Sequence, residues 1–378
     1  MTQIDRYILV LYLRVFIVCF LTLSGLLIVV QLFTNIDEFV AYGKANGGFV
    51  RGLFIYFGPQ MLSIYDRMCG LITLLAIMFV IAWLQRTHEL TAILAAGISK
   101  RRIVVPLLYA SVILILISAI LRETAIPQFS DILSKRPRDL MGERNESLRP
   151  TEDVDQGFIV VGRQLVKNTR SIANPVFKFT GPIAAQTRQI EGELAQFLDA
   201  NSEHSAGFLV TNFRPSEPLT LTGSLVQDER YYLMLPADQK WLQPNQCFIT
   251  SALDFDLLSG GRGRQYASTA ELISDLRNRS YYHGPELKVT MHSRFVQPFL
   301  DFTQILIGLP FILTGLDRNL VRMVASCIII FALFYAITFG LRTLGAHETL
   351  LTASAGAWAP VLLFAPVAWA KSVAAMYS

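Results

Sequence analysis

Two places set an imidazole beside a carboxylate, His88-Glu89 and His347-Glu348. Metal binding along a helix needs a second ligand one turn on, and the i+4 positions are Ala92 and Leu351. Both dipeptides read as ordinary interfacial polar residues, and no metal site is expected. The other chemical signatures are missing as well. The chain has no G-x-x-x-x-G-K-[ST] phosphate loop, no H-E-x-x-H, no G-x-S-x-G and no Cys/His grouping with zinc spacing. No catalytic residues are expected, and the chain is read as a non-enzyme.

What remains is recognition by charge. The stretch from Arg86 to Ser99 reads Arg-Thr-His-Glu-Leu-Thr-Ala-Ile-Leu-Ala-Ala-Gly-Ile-Ser and runs into Lys100-Arg101-Arg102. Its first half predicts a short amphipathic helix, with Glu89 and Ile93 one turn apart on one stripe and Leu90 and Leu94 on the next. Gly97 supplies a C-terminal stop, and Ser99 is placed to cap the helix that follows. Two readings fit this spacing: a rigid handle that a soluble partner grips through one carboxylate, or a passive interfacial helix with Glu89 in water. A second polar feature lies further on. Asp301 falls six residues beyond Phe295, roughly 9 Å down an apolar helix. An ionisable group at that depth is costly and faces a cavity or an ion-pair partner rather than lipid. Arg294, at the mouth of the same helix, either meets an anionic group or snorkels to the surface.

The elements that must hold these residues are mostly apolar helices. The 378-residue chain is 52% hydrophobic and only 16% charged, with a mean hydropathy of +0.43, where a soluble domain carries about 25% charge. The charge is uneven: residues 122–294 hold 20 of the 33 basic and 21 of the 29 acidic residues. So the middle reads as water-soluble and both ends as lipid-embedded. A net charge of +4 with dispersed basic residues excludes nucleic acid as a partner. Disorder and collagen-like classes are excluded too.

A bilayer core about 30 Å thick needs roughly 20 apolar helical residues. The runs that qualify are Val15–Ile36, Met68–Gln85, Ile103–Leu121, Phe295–Leu316, Met323–Leu341 and Leu350–Ala370. The first is too long for a cleaved signal and is read as a retained span. Gly52–Tyr65, with Pro59 inside, is read as an outward, kinked extension of the second span. Three of the four cysteines, Cys19, Cys69 and Cys327, lie in apolar runs, so no disulfide framework is expected. With the N-terminus in the cytoplasm, nine basic residues fall at inner ends, including Lys100, Arg101, Arg102 and Lys371. The short outer loops hold only Lys44, Arg51, Arg67 and Arg342. That bias satisfies the positive-inside rule and places the central segment outside the cytoplasm.

The central segment predicts short strands at Gly157–Gly162, Gly207–Thr211, Leu219–Val226 and Arg230–Leu235, which suggests a sandwich or jelly roll. Helical pieces flank it at Arg122–Met141 and Ser268–Tyr281, the second opening on a Ser268/Glu271 capping box. The expected fold is membrane α-helical, six transmembrane helices, with an inserted periplasmic all-β jelly-roll-like domain. Its parts are residues 1–121 for three spans with the loop helix at about 86–98, residues 122–290 for the β-domain and its flanking helices, and residues 291–378 for the last three spans.

The loop helix carries a specific resemblance. Glu89, Leu90, Ala92, Ala95, Gly97, Ile98 and Ser99 match the Glu-Leu-x-Ala-x-x-Ala-x-Gly-Ile-Ser coupling-helix pattern of the lipopolysaccharide-export ABC permease family (LptF/LptG, YjgP/YjgQ). Asp5-Arg6-Tyr7 is similar to the family's opening. His292-Ser-Arg294-Phe295, Pro298 and Ile307-Gly-Leu-Pro310 are similar to its approach to the fourth span. The resemblance implies a permease subunit located in the bacterial inner membrane, multi-pass, with its central domain in the periplasm. Its expected partners are a paralogous permease subunit, a cytoplasmic ABC ATPase dimer, a periplasmic bridge protein and lipopolysaccharide. It implies no cofactor bound by this chain, ATP and Mg2+ being used by the partner ATPase. Coupling would then fall to Glu89, Leu90, Ile93, Gly97 and Ser99.

The family holds lipid phosphates with basic residues at the outer end of the first span, where this chain has Gln31 and Asn35. Lys44 and Arg51 come only further on, and with Arg294 they are expected to form a basic collar for phosphorylated lipid. Substrate-binding candidates are therefore Arg294, Asp301, Lys44 and Arg51. The family also implies a gate between the first and fifth helices, where Gly25, Ala332 and Ala336 either allow close contact or serve ordinary packing. Asp66-Arg67 departs from the family's apolar, proline-containing pattern, and adjacent helical residues do not share a face, so these two need not pair with each other. The rival readings are a non-transporting membrane-anchored periplasmic scaffold and a permease for another lipid or lipoprotein.

Overall fold

A chain crossing lipid must satisfy its backbone hydrogen bonds internally, so apolar ends of this length demand long unbroken helices. The computed structural model describes residues 3–135, 137, 148, 150–166, 169–180, 184, 187–201, 204–215, 224–227, 230–251, 253, 255–258, 265–277, 284–314, 320–348 and 350–377. The first helices are α1 (Gln3–Thr34), α2 (Ile36–Ala45), α3 (Phe49–Arg86), α4 (Glu89–Ala95), α5 (Lys100–Gln128) and α6 (Ser130–Ser134). After the inserted strands come α7 (Phe255–Leu258), α8 (Thr269–Arg277), α9 (Pro285–Thr314), α10 (Leu320–Ala346) and α11 (Ala353–Tyr377). Six of them, α1, α3, α5, α9, α10 and α11, are long and apolar enough to cross a membrane.

The spans differ in how much of themselves they bury. In the most apolar window, 61% of residues are buried in both α3 and α9, against 11% in α1, 17% in α10 and 22% in α11. α3 and α9 are therefore the centre of the bundle, and the other three present most of their apolar surface outward. Ile8, Tyr12 and Phe16 place one face of α1 into the core, where they meet Tyr65, Cys69 and Ile72 of α3. The Tyr12 hydroxyl lies 2.8 Å from Ser111 Oγ, so α1 is also tied to α5 by a buried hydrogen bond. As expected, Gly52–Tyr65 continues the second span in one helix with Pro59 inside it.

Two expectations are corrected. Arg342, read as an outer-loop cation, sits on α10 and packs inward against α9. Ser99 occupies the N-cap position of α5 but makes no side-chain capping bond. The Ser268/Glu271 capping box forms as expected: the Ser268 N–H donates to Glu271 Oε2 at 2.7 Å, and the Glu271 N–H donates to Ser268 Oγ at 3.2 Å. The expected helix at 122–141 is continuous with α5 to Gln128 and then turns into α6. Residues 136, 138–141, 219–223, 278–281 and 315–316, on which parts of the expectations fell, lie outside the described residues.

The chain divides into two compact units, one of Met1–Leu140, Tyr266–Ile273 and Gly284–Ser378, the other of Met141–Gln265 and Ser274–His283. The second holds twelve short strands: β1 (Thr151–Asp153), β2 (Phe158–Val161), β3 (Gln164–Val166), β4 (Ser171–Ala173), β5 (Val176–Phe179), β6 (Gln189–Glu191), β7 (Leu194–Leu198), β8 (Gly207–Thr211), β9 (Arg214–Pro215), β10 (Leu225–Gln227), β11 (Arg230–Met234) and β12 (Gln246–Thr250). They form a five-stranded sheet, β1-β2-β5-β6-β9, and a seven-stranded sheet, β10-β11-β12-β8-β7-β4-β3, with every pair antiparallel. Alternating residues from both sheets, among them Phe158, Phe177, Ile172, Phe208 and Ile249, meet in one core. Cys247 is a free thiol in that core, and burial pushes its pKa upward. Asp153 accepts bonds from Ser251 Oγ at 2.7 Å and the Gln156 N–H at 3.1 Å, while burial holds its carboxyl above the usual range.

Candidate functional site

The loop helix α4 is defined by the backbone at both ends. His88 enters it in the left-handed region, with φ 59°. At the other end Gly97 has φ 80°, the Ile98 N–H reaches the Ile93 carbonyl at 3.3 Å and the Gly97 N–H reaches the Leu94 carbonyl at 3.0 Å. That pair of bonds is a Schellman motif, and the left-handed conformation at its centre is why glycine stands there. Leu90 is buried in the main core, and Ile93 and Leu94 pack against it. The inward face is thus an anchor to the bundle. Thr91, Ala92, Ala95 and Ala96 are exposed on the other face. Glu89 stands at the first turn, where its Oε2 accepts a 2.9 Å bond from the Tyr7 hydroxyl of α1.

The second polar region lies inside the bundle. Asp66 of α3 accepts from Arg122 of α5 through Nε at 2.8 Å and Nη2 at 2.7 Å, and from Ser118 at 3.0 Å. Both Arg122 nitrogens meet Oδ1, and Nε also reaches Oδ2 at 3.1 Å; with the two side chains only 14% and 11% exposed, this is a largely buried ion pair. Arg67 turns the other way, donating to the Tyr266 hydroxyl at 3.1 Å and lying 5.5 Å from that ring's centre. Asp66 meets Arg122 and Ser118, while Arg67 meets Tyr266. Arg294 donates to the Ala267 carbonyl, and Arg122 Nη1 reaches the Arg294 carbonyl at 3.4 Å. Glu123 accepts from both the N–H and the hydroxyl of Thr269, at 2.8 and 2.6 Å, which docks the start of α8 on α5.

One helical stripe of α9 continues this pattern inward. Arg294, Gln297, Asp301 and Gln304 follow one another at spacings of three, four and three residues, and so share a face. Gln297 donates to Asp301 Oδ1 at 2.9 Å and accepts from Arg342 Nη2 of α10 at 3.0 Å. Gly70 of α3 admits the approach: a Cβ there would lie 2.9 Å from Asp301 Oδ1 and 2.8 Å from Gln304 Oε1. Between α3, α9 and α10 a cavity of about 260 Å³ remains, lined by these side chains with Arg67, Tyr335 and Thr338. Gln304, Thr338 and Arg342 are among its lining residues, and their Nε2, Oγ1 and Nε atoms are buried without hydrogen-bond partners. Unpaired buried donors on residues that wall a cavity call for acceptor oxygens, from a ligand or from waters.

Of the residues singled out in the sequence, Arg294 and Asp301 belong to this region. Lys44 and Arg51 are exposed and flank the turn between α2 and α3. Glu89, Leu90, Ile93, Gly97 and Ser99 cluster at α4 and the start of α5. Arg122, Gln297, Gln304, Thr338, Arg342 and Tyr7 were missed, although the polar stripe on α9 is visible in the spacing alone. Gly25, read either as a point of close contact or as ordinary packing, has nothing within 4 Å of its would-be Cβ inside this chain. Among the described residues, no group of three or more His, Cys, Asp or Glu side chains could hold a metal ion. No curated protein matches the chain. A family model does, over residues 6–171 and 192–372, and it is that of the lipopolysaccharide export system permease LptF/LptG.

Proposed function

Because the chain belongs to the LptF/LptG family of lipopolysaccharide-export permeases, we propose that it is the membrane subunit through which an ABC exporter lifts lipopolysaccharide from a bacterial inner membrane. A cytoplasmic ATPase dimer, using ATP and Mg2+, grips α4 of this chain and of a paralogous permease. The β unit lies in the periplasm and hands the lipid to a bridge protein. The observation that carries this reading is α4 itself, a short, tightly stopped helix with an exposed face and a carboxylate at its first turn.

Glu89 is the group that meets a basic side chain of the ATPase. Leu90 and Ile93 act from the inward face, fixing α4 to the bundle so that a pull on it moves helices rather than a loop. α4 follows directly on α3, and Gly70 lies sixteen residues before Arg86, roughly 24 Å along that helix. Motion at α4 is therefore delivered to the wall of the polar cavity. There Gln304, Thr338 and Arg342 offer donors to phosphate or sugar oxygens, and Asp301 accepts from sugar hydroxyls. Lys44 and Arg51 add cations for the phosphates at the outer surface.

Charge reversal at Glu89 tests the reading. Glu89→Arg is expected to abolish transport and the coupling of ATP hydrolysis while the complex remains inserted and assembled. Full transport by that variant would overturn the assignment.

A further inference from the structure

The cavity between α3, α9 and α10 discriminates among the groups that could fill it. Three buried atoms on residues of its wall have no hydrogen-bond partner, Gln304 Nε2, Thr338 Oγ1 and Arg342 Nε, and only one of them belongs to a cation. Gln304 and Thr338 are 6% and 5% exposed, so an unpaired donor on either is costly. The same wall carries an acceptor. Asp301 Oδ1 takes the Gln297 amide at 2.9 Å, which leaves Oδ2 to accept a further bond. α10 adds an apolar panel: Phe331 and Tyr335 are one turn apart and their rings stack, with centroids 5.8 Å apart and planes at 24°. The cavity's 260 Å³ is the space of about nine waters at about 30 Å³ each. That is room for one pyranose ring, and too little for a disaccharide or a whole acyl chain.

We propose that this cavity binds one uncharged sugar ring of the exported lipid, and that the lipid's phosphates stay outside it. A phosphate is rich in acceptors, so it would satisfy the unpaired donors but set its own charge against Asp301. A sugar hydroxyl both donates and accepts, so a ring answers Gln304 and Arg342 as an acceptor and Asp301 as a donor. The C–H face of a pyranose is apolar and packs on an aromatic face, which Phe331 and Tyr335 supply. Both arginines of the wall are already engaged within the chain: Arg342 Nη2 donates to Gln297, and Arg67 donates to the Tyr266 hydroxyl. The inference rests on the cargo being lipopolysaccharide and specifies which part of it enters.

The test is native mass spectrometry of the full-length chain, purified with its co-purifying subunits and titrated with three lipids. These are bisphosphorylated lipid A, the same lipid stripped of its phosphates, and phosphatidic acid, which has a phosphate and no sugar. Thr338→Val/Gln304→Met removes two of the donors with little change of volume. It is expected to weaken both forms of lipid A about tenfold, the usual strength of two hydrogen bonds, and to leave phosphatidic acid unaffected. Asp301→Asn supplies the sign: both forms of lipid A are expected to bind more weakly, whereas a phosphate in the cavity would bind more tightly once the carboxylate is gone. A loss confined to the phosphorylated form, an equal loss of all three lipids, tighter binding by Asp301→Asn, or unchanged binding in both variants would overturn the proposal while the cargo reading stands. A parent complex that retains neither form of lipid A would overturn both.

Discussion

The polar residues of this chain fall into two regions held by opposite means. Inside the bundle, buried or half-buried side chains bind one another in two sets, Asp66, Arg122 and Ser118 between α3 and α5, and Gln297, Asp301 and Arg342 between α9 and α10. At α4, Glu89 sits at the surface with one tyrosine hydroxyl on it, and order comes from backbone stops and from Leu90 beneath. Charge buried in lipid must be matched within the protein, since each unmatched group costs several kcal/mol. Charge at the membrane's face carries no such demand and stays available to a partner. The first region should therefore answer to mutation through stability, and the second through coupling.

The strongest way to break that contrast is to unpair the buried ion pair. Arg122→Ala leaves Asp66 without its counter-ion and is expected to destabilise the protein by about 3–5 kcal/mol, read as a large fall in the melting temperature in detergent. The double variant Asp66→Asn/Arg122→Gln, which leaves no buried charge unpaired, should be milder than the single one. Glu89→Arg should do the reverse, losing coupled ATP hydrolysis by more than about tenfold while its melting temperature stays close to the parent's. A melting temperature for Glu89→Arg as low as that for Arg122→Ala would erase the distinction.

Smaller effects sharpen it. Gly97→Val puts a β-branched side chain at φ 80° and is expected to cost about 1–2 kcal/mol locally, visible as faster amide exchange over α4 and reduced transport. Tyr7→Phe removes one exposed hydrogen bond to Glu89, so a change of no more than about 1 kcal/mol in stability and near-normal transport are expected. A transport defect in Tyr7→Phe as deep as that of Glu89→Arg would mean that Glu89 works through α1 rather than through a partner.

Local rules explain which of these features could be read from sequence. The six spans follow from apolar length, the stop at Gly97 and the Ser268/Glu271 box from turn chemistry, and the separation of Asp66 from Arg67 from helix geometry. The pairing of Asp66 with Arg122 spans 56 positions, and nothing local announces it. Arg342 reads as a loop residue because hydropathy falls at any arginine, although its partner Gln297 lies in the apolar layer. The resemblance gives Leu90 a part in coupling without saying which way it turns, and the fold buries it in the core with residues of α3. The α9 stripe of Arg294, Gln297, Asp301 and Gln304 was legible in its spacing, but two glutamines in an apolar run scarcely move a hydropathy window. The match to the family skips residues 172–191, where β5 and β6 lie, so the family resemblance says least about the five-stranded sheet.

The cargo is tested most directly by mass spectrometry of the lipid retained when the full-length chain is purified gently with its associated subunits. Lipopolysaccharide is expected, bound in a complex that also holds an ATPase, with retention falling when Arg342 and Gln304 are replaced by alanine. A complex that contains the ATPase but carries only phospholipid, whatever the state of those two residues, would contradict it.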